Sequence, residues 1–244
     1  FPPAASLAPH DVNLPAAEEI LHQSEGGYQI TGWWLEPLSR DAPVIMFFHG
    51  NGSAVYSNHG IYGDLNAQGY GVYAAGYAGY PGSGGKPSQA AITESAKLQY
   101  DWLTGQGISP ERIIFYGTSL GTGIAAQLAL ERRPARMISE APFTSTLDMG
   151  RMSMPVFPVG LLMKDTYRSD LALSHLDMPI SWLHGTQDEV IPLSQGQELY
   201  DRYRGPKNHL VIEGGRHTNL WGLGGREFIL SELAAQSPGS SPNR

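Results

Sequence analysis

Ser119, Asp188 and His217 follow one another along this chain, and together these three residue types can cut a carbonyl–heteroatom bond. A serine hydroxyl is a weak nucleophile until a base takes its proton, and the base works only when a carboxylate orients it. Ser119 sits in Gly117-Thr118-Ser119-Leu120-Gly121, directly after the apolar run "IIFY". Glycine two places before and two places after the serine allows a strand-to-helix turn too tight for a side chain at either place. Such a turn exposes Oγ at the carboxyl end of a strand and aims the Leu120 N–H and a helix N-terminus at developing negative charge. Asp188 lies just past "SWLHG" and His217 just past "LVIEGG", at the strand ends where open parallel sheets carry their functional loops. A fourth piece, His49-Gly50-Asn51-Gly52, closes the run "MFF" and offers the Asn51 N–H as a second oxyanion donor beside that of Leu120. With 30 glycines in the chain, a G-x-S-x-G also arises by chance as the glycine-rich start of an ordinary helix. The companions at the other strand ends favour the chemical reading.

Strands must bring these pieces together. "EEILHQSEGGYQITGWWLEP" reads as an antiparallel hairpin turning at Gly26-Gly27. "VIMFFHG", "GVYAAGY", "RIIFYG", "RMISEAP", "ISWLHG" and "HLVIEGG" are the short apolar runs of strands buried on both faces. Helical patterns lie between them over about 56–69, 89–105, 120–133, 193–204 and 220–235. Strands alternating with helices imply an α/β fold, a mostly parallel central sheet flanked by helices on both faces. One domain is expected over 1–236, with a small cap insertion at about 146–178 and a flexible tail, "SPGSSPNR", at 237–244.

Composition removes several function classes. A formal charge of −7 gives no basic face for nucleic acid. The absence of cysteine excludes thiol catalysis, disulfides and thiolate metal sites. His10, His22, His59, His175 and His209 are scattered without ligand spacing, while His49 and His184 stand before glycines at strand ends, where a ring more often braces a loop. No metal or cofactor is expected. "GYPGSGGKP" lacks the spacing of a phosphate-binding loop, because Pro87 follows Lys86. It is read as a connection that sets Tyr77 and Tyr80 on the rim of the site. No apolar stretch reaches the roughly 18 residues that span a bilayer. The chain begins at Phe1 without methionine, so a signal peptide or anchor removed upstream is the one expected route to a membrane. Compartment and oligomeric state stay open.

From end to end, over about 18–235, the chain resembles the α/β-hydrolases. More narrowly it is similar to the small-capped serine hydrolases that include protein depalmitoylases and membrane-anchored bacterial relatives. The pieces that carry the likeness are "GWWLEP", "FFHGNG", "GYAGYPGSGGKPS", "YGTSLGTG", "EAPFTS", "HGTQDEVIP" and "GGRHTN". The resemblance implies Ser119 as nucleophile, Asp188 as acid and His217 as base. Haloalkane dehalogenases share an "HGN" loop but carry an aspartate nucleophile where this chain has Ser119, and the cysteine cluster of the depalmitoylases has no counterpart here.

Two alternatives stay open at this level. Glu140 also follows a strand and competes with Asp188 for the orienting role. The cap carries Met152, Met154, Phe157, Leu161 and Leu162, which either hold an acyl chain over the site or pack onto helices. The expected activity is hydrolysis of a small-molecule ester or acylated substrate through an acyl-enzyme. Thioester hydrolysis and aminopeptidase work are variants of the same chemistry, and a non-catalytic binding protein on the same fold is the rival from another class.

Overall fold

Val44 to Phe48 are five consecutive apolar residues, and all five are buried. A strand so covered on both faces must lie inside a sheet sandwiched between helices. The computed structural model describes residues 6–154 and 156–235, apart from the Leu161 side chain. Eight strands run through it: β1 (Glu18–Gln23), β2 (Gln29–Leu35), β3 (Val44–Phe48), β4 (Gly71–Ala75), β5 (Ile113–Thr118), β6 (Arg136–Glu140), β7 (Ile180–Gly185) and β8 (Lys207–Ile212). They form one sheet in the order β1-β2-β4-β3-β5-β6-β7-β8. β1 and β2 pair antiparallel, as do β2 and β4, and the remaining neighbours are parallel. The α/β sheet read from the apolar runs is therefore present, with the hairpin as its antiparallel edge.

Eight helices connect the strands: α1 (His59–Ala67), α2 (Gln89–Gly105), α3 (Leu120–Ala129), α4 (Thr146–Ser153), α5 (Val159–Leu162), α6 (Ser169–Ser174), α7 (Leu193–Arg202) and α8 (Gly225–Ala234). Alternate side chains of each strand point to opposite faces, so the core divides in two. Met46, Phe48, Phe115 and Trp182 pack with α2, α3, α6 and α7. Ile45, Phe47, Tyr116 and Leu183 pack with α1 and α8.

Four helices are shorter than their sequence pattern, α7 by only two residues at its end. A 3-10 turn at Val55–Asn58 precedes α1. The pattern over 120–133 stops at Ala129, because Pro134 has no N–H to donate and disfavours helix at the residue before it. The pattern over 220–235 breaks at Gly224, whose φ of 101° ends the turn at Trp221–Leu223 before α8 begins. Residues 146–178 hold α4, α5 and α6, and α5 starts directly after Pro158. The flexible tail expected at 237–244 lies outside the described residues, as does residue 236.

Candidate active site

β5 ends at Thr118 and α3 begins at Leu120, so Ser119 alone makes the turn between them. Its backbone has φ 52° and ψ −121°, a region that a residue with a Cβ enters only at a cost. A Cβ on Gly117 would stand 2.5 Å from the Gly121 carbonyl oxygen, and one on Gly121 would stand 2.0 Å from that of Phe48. Both glycines are required by backbone contact. The strained turn is pinned from two sides. The Ser119 N–H donates to the Glu140 carbonyl at 2.9 Å, and the Thr122 hydroxyl donates to the Ser119 carbonyl at 2.7 Å.

The loop after β3 lies directly on this elbow. A Cβ on Gly50 would come within 3.2 Å of the Ser119 Cβ, a tight contact, so the 49–52 backbone packs closely on the elbow. His49 is buried, and its Nδ1 donates to the Gly50 carbonyl at 2.9 Å. Burial pulls the His49 imidazole down to about 4 even though that carbonyl favours the charged form, so the ring is neutral at physiological pH. The Tyr80 hydroxyl donates to Asn51 Oδ1 at 3.0 Å and holds the exposed tip of the loop.

Asp188 and His217 meet across two loops that fit together at glycines. A Cβ on Gly185 would stand 2.1 Å from the Gly215 carbonyl oxygen, and the Gln187 N–H donates to that same carbonyl at 2.8 Å. His217 Nδ1 then lies 2.8 Å from Asp188 Oδ2. The other carboxylate oxygen accepts from the Val190 and Ile191 N–H groups at 2.9 and 2.8 Å. His184 Nε2 is 2.8 Å from the Ile191 carbonyl and 3.5 Å from Asp188 Oδ2, which fixes Nε2 as the protonated nitrogen of that ring. Burial alone would raise the Asp188 carboxyl. The hydrogen bonds from His184, His217, Ile191 and Val190 outweigh it and hold the group well below the usual carboxylate range. Asp188 is thus an anion at neutral pH, and an anion accepting from Nδ1 leaves Nε2 as the basic nitrogen of His217.

Ser119 and His217 face one cleft of about 180 Å3, walled also by Asn51, Asn58, Glu140 and Trp221. Of the two carboxylates left open for the orienting role, Asp188 is the one in contact with His217, while Glu140 Oε2 accepts from the Tyr116 hydroxyl at 2.6 Å. Tyr77 was expected on the rim but is fully buried, its hydroxyl donating to the His49 carbonyl at 3.1 Å. Its ring is large and apolar enough to be drawn into the core beneath the loop, so it supports the site from below. Tyr80 contributes through Asn51 and does not line the cleft. Met152, Met154, Phe157 and Leu162 do not line it either; they stand 47–70% exposed on the cap surface. The Leu161 side chain lies outside the described residues. Val159, the first residue of α5, is buried in the cap and tucked against Gly150. Asn58, Ile61 and Trp221 complete the cleft without any motif in the sequence to mark them, and Thr218 joins them from "GGRHTN". They arrive from the start of α1 and the turn after His217, so only the fold brings them in. Among the described residues, no group of three or more His, Asp or Glu is arranged to hold a metal ion, and no helix is long and apolar enough to cross a membrane.

A family model described as the alpha/beta hydrolase fold matches residues 43–173, more than half of the chain. The chain belongs to the α/β-hydrolase family. Human alpha/beta hydrolase domain-containing protein 17B is 31% identical to this hydrolase, over 89% of this chain and 77% of its own. An uncharacterized protein of Mycobacterium tuberculosis is 28% identical, over 94% and 82%. A lysophosphatidylserine lipase of Danio rerio is 29% identical, over 79% of this chain and 60% of the lipase. Among solved structures, an esterase of Pyrococcus furiosus superposes with a TM-score of 0.76 at 18% identity, over 97% of each chain.

Proposed function

We propose that this hydrolase cleaves carboxylic esters by acyl transfer through Ser119. The observation that carries the reading is the strained serine turn sharing one cleft with a histidine whose far nitrogen is bonded to a buried carboxylate. In the first step His217 Nε2 takes the hydroxyl proton as Ser119 Oγ attacks the ester carbonyl. The Leu120 N–H at the start of α3 and the Asn51 N–H over the elbow stabilise the oxyanion. The alkoxide leaves with the proton from His217, and Ser119 is left acylated. Water, deprotonated by the same histidine, then releases the acid and restores the serine. Asp188 remains ionised throughout and steadies the imidazolium that forms twice per turnover. A relative named for lipase activity supports an ester as the bond cut.

Hydrolysis of p-nitrophenyl acetate and butyrate by wild type and Ser119→Ala tests this reading. Activity that disappears in the variant is expected. Activity that survives there would remove Ser119 from the mechanism. Wild-type inactivity on these esters, combined with turnover of acyl thioesters, would move the substrate class without moving the nucleophile.

A further inference from the structure

Glu140 is a second carboxyl in the cleft that the acyl-transfer steps do not use. It is the last residue of β6, it is 6% exposed, and its side chain forms part of the wall shared by Ser119 and His217. Tyr116 donates to Oε2, and among the described residues nothing donates to Oε1. Oε1 is not among the fully enclosed unpaired polar atoms, so it opens onto the cleft, where a ligand's donor can reach it. The remaining wall gives this a sign. Asn51, Ser53, Asn58, Thr118 and Thr218 are polar and uncharged, and no lysine or arginine lines the cleft. An anionic group placed there would face Glu140 without a counter-charge, whereas an ammonium or hydroxyl would meet an acceptor. At about 180 Å3 the cleft lies below the roughly 300–1,000 Å3 of pockets for drug-sized ligands, so the group it takes is small. The net charge of −7 draws cations toward the molecule in the same sense.

We propose that Glu140 is a specificity-determining residue that accepts a hydrogen bond from a small ammonium or hydroxyl group on the ester substrate, and that the cleft rejects anionic groups. This rests on the reading of Ser119 and His217 as the reacting pair. It narrows the substrates to esters with a short donor-bearing arm on the acyl or the alcohol side. Burial also pushes the Glu140 carboxyl up, against the pull of the Tyr116 hydroxyl and the His217 and His184 rings. An approaching ammonium would favour the ionised form and strengthen the contact.

The test compares esters of nearly equal shape. On the acyl side these are methyl 3-aminopropanoate, methyl butanoate and monomethyl malonate. On the alcohol side they are 2-(dimethylammonio)ethyl acetate, which keeps one N–H, and 3-methylbutyl acetate, all followed by acid release at constant pH. The expected order is ammonium over alkyl over carboxylate in at least one series, with the first gap about 10- to 100-fold in kcat/KM. In Glu140→Gln that gap closes to below about threefold, whatever happens to the rates themselves. A flat or inverted wild-type order in both series overturns the proposal, and it does so even if Glu140→Gln fails to fold. A gap that survives in a folded Glu140→Gln overturns it too, as does an equal loss on every ester with the gap intact. Binding of propylammonium and propanoate to Ser119→Ala, read by NMR, decides the matter without turnover. Tighter binding of the cation, lost in the double variant with Glu140→Gln, supports the subsite; equal binding refutes it. Hydrolysis of methyl butanoate that persists in Ser119→Ala would instead refute the underlying mechanism.

Discussion

Replacing the candidate nucleophile by glycine should make this hydrolase more stable than replacing it by alanine. Ser119 holds φ 52° and ψ −121°, where a Cβ costs about 1–3 kcal/mol and glycine costs almost nothing. Alanine keeps the Cβ and therefore the strain. Glycine loses it but gives the unfolded chain extra freedom, which offsets about 0.4–1 kcal/mol. The balance leaves Ser119→Gly ahead of Ser119→Ala by about 1–2 kcal/mol. For a chain of this size each kcal/mol moves the melting temperature by about 2–4 °C, so the gap is about 2–8 °C. Neither variant has an Oγ, so activity cannot separate them and stability can. Thermal unfolding followed by circular dichroism, with urea midpoints alongside, measures the difference directly. Equal stability, or alanine ahead of glycine, would refute the claim that the elbow stores strain in the folded state. The comparison is clean because no hydrogen bond to Ser119 Oγ is present among the described residues, and the pins at its N–H and carbonyl are kept in both variants.

Asp188→Asn should fold and yet lose about 10^4-fold in kcat, because an amide in place of the carboxylate lets His217 adopt the wrong tautomer; near-normal turnover by the purified variant would contradict this. The same carboxyl has a pH signature. Its folded-state pKa lies below the unfolded value, so its stabilisation is present above about pH 4, near the ordinary carboxyl pKa of 3.8, and fades as the pH falls below it. Urea midpoints of wild type and Asp188→Asn between pH 6 and 3 should therefore converge on acidification, and a constant gap would oppose the assignment. Glu140 works in the opposite direction. Its folded pKa is raised, so ionisation costs stability as the pH climbs past the unfolded value. Glu140→Gln should gain on wild type between pH 4 and 7.5, and unfolding midpoints that fail to shift would show the carboxyl to be better solvated than its burial indicates. Gly121→Ala would drive a methyl to 2.0 Å from the Phe48 carbonyl oxygen. The elbow must open or the β3 end must move, and a loss of more than about 3 kcal/mol with abolished activity is expected from urea unfolding and ester assays.

Much of this was legible before any coordinates. Buried strands announce themselves as unbroken apolar runs, and the runs ending in Phe48, Tyr116, Leu183 and Ile212 gave the strand ends on which the chemistry stands. Gly117 and Gly121 marked a close backbone approach from their offsets around Ser119, whereas the approaches at Gly50 and Gly185 show only in the folded chain. The candidate triad was readable because its members follow the carboxyl ends of three strands, β5, β7 and β8. What spacing does not reveal is which side chains turn toward which face. Tyr77 reads as a rim residue in a glycine-rich loop, but its ring is worth more under the loop than over it, and it is buried. The cap methionines and Phe157 read equally as an acyl surface or as helix packing; α4 and the turn before α5 leave them exposed and outside the cleft lining.

The sequence by itself determined the order of elements, the elbow, and Ser119 and His217 as candidate nucleophile and base, because these depend on local periodicity and on glycine at fixed offsets. Tertiary structure alone chose Asp188 over Glu140 as the partner of His217, since that choice is a matter of 2.8 Å across two loops 29 residues apart. It also placed Asn58, Glu140 and Trp221 around one small cleft. These residues come from separate connections that meet only when the sheet is assembled in the order β1-β2-β4-β3-β5-β6-β7-β8. Local propensity has no information about such meetings; packing does.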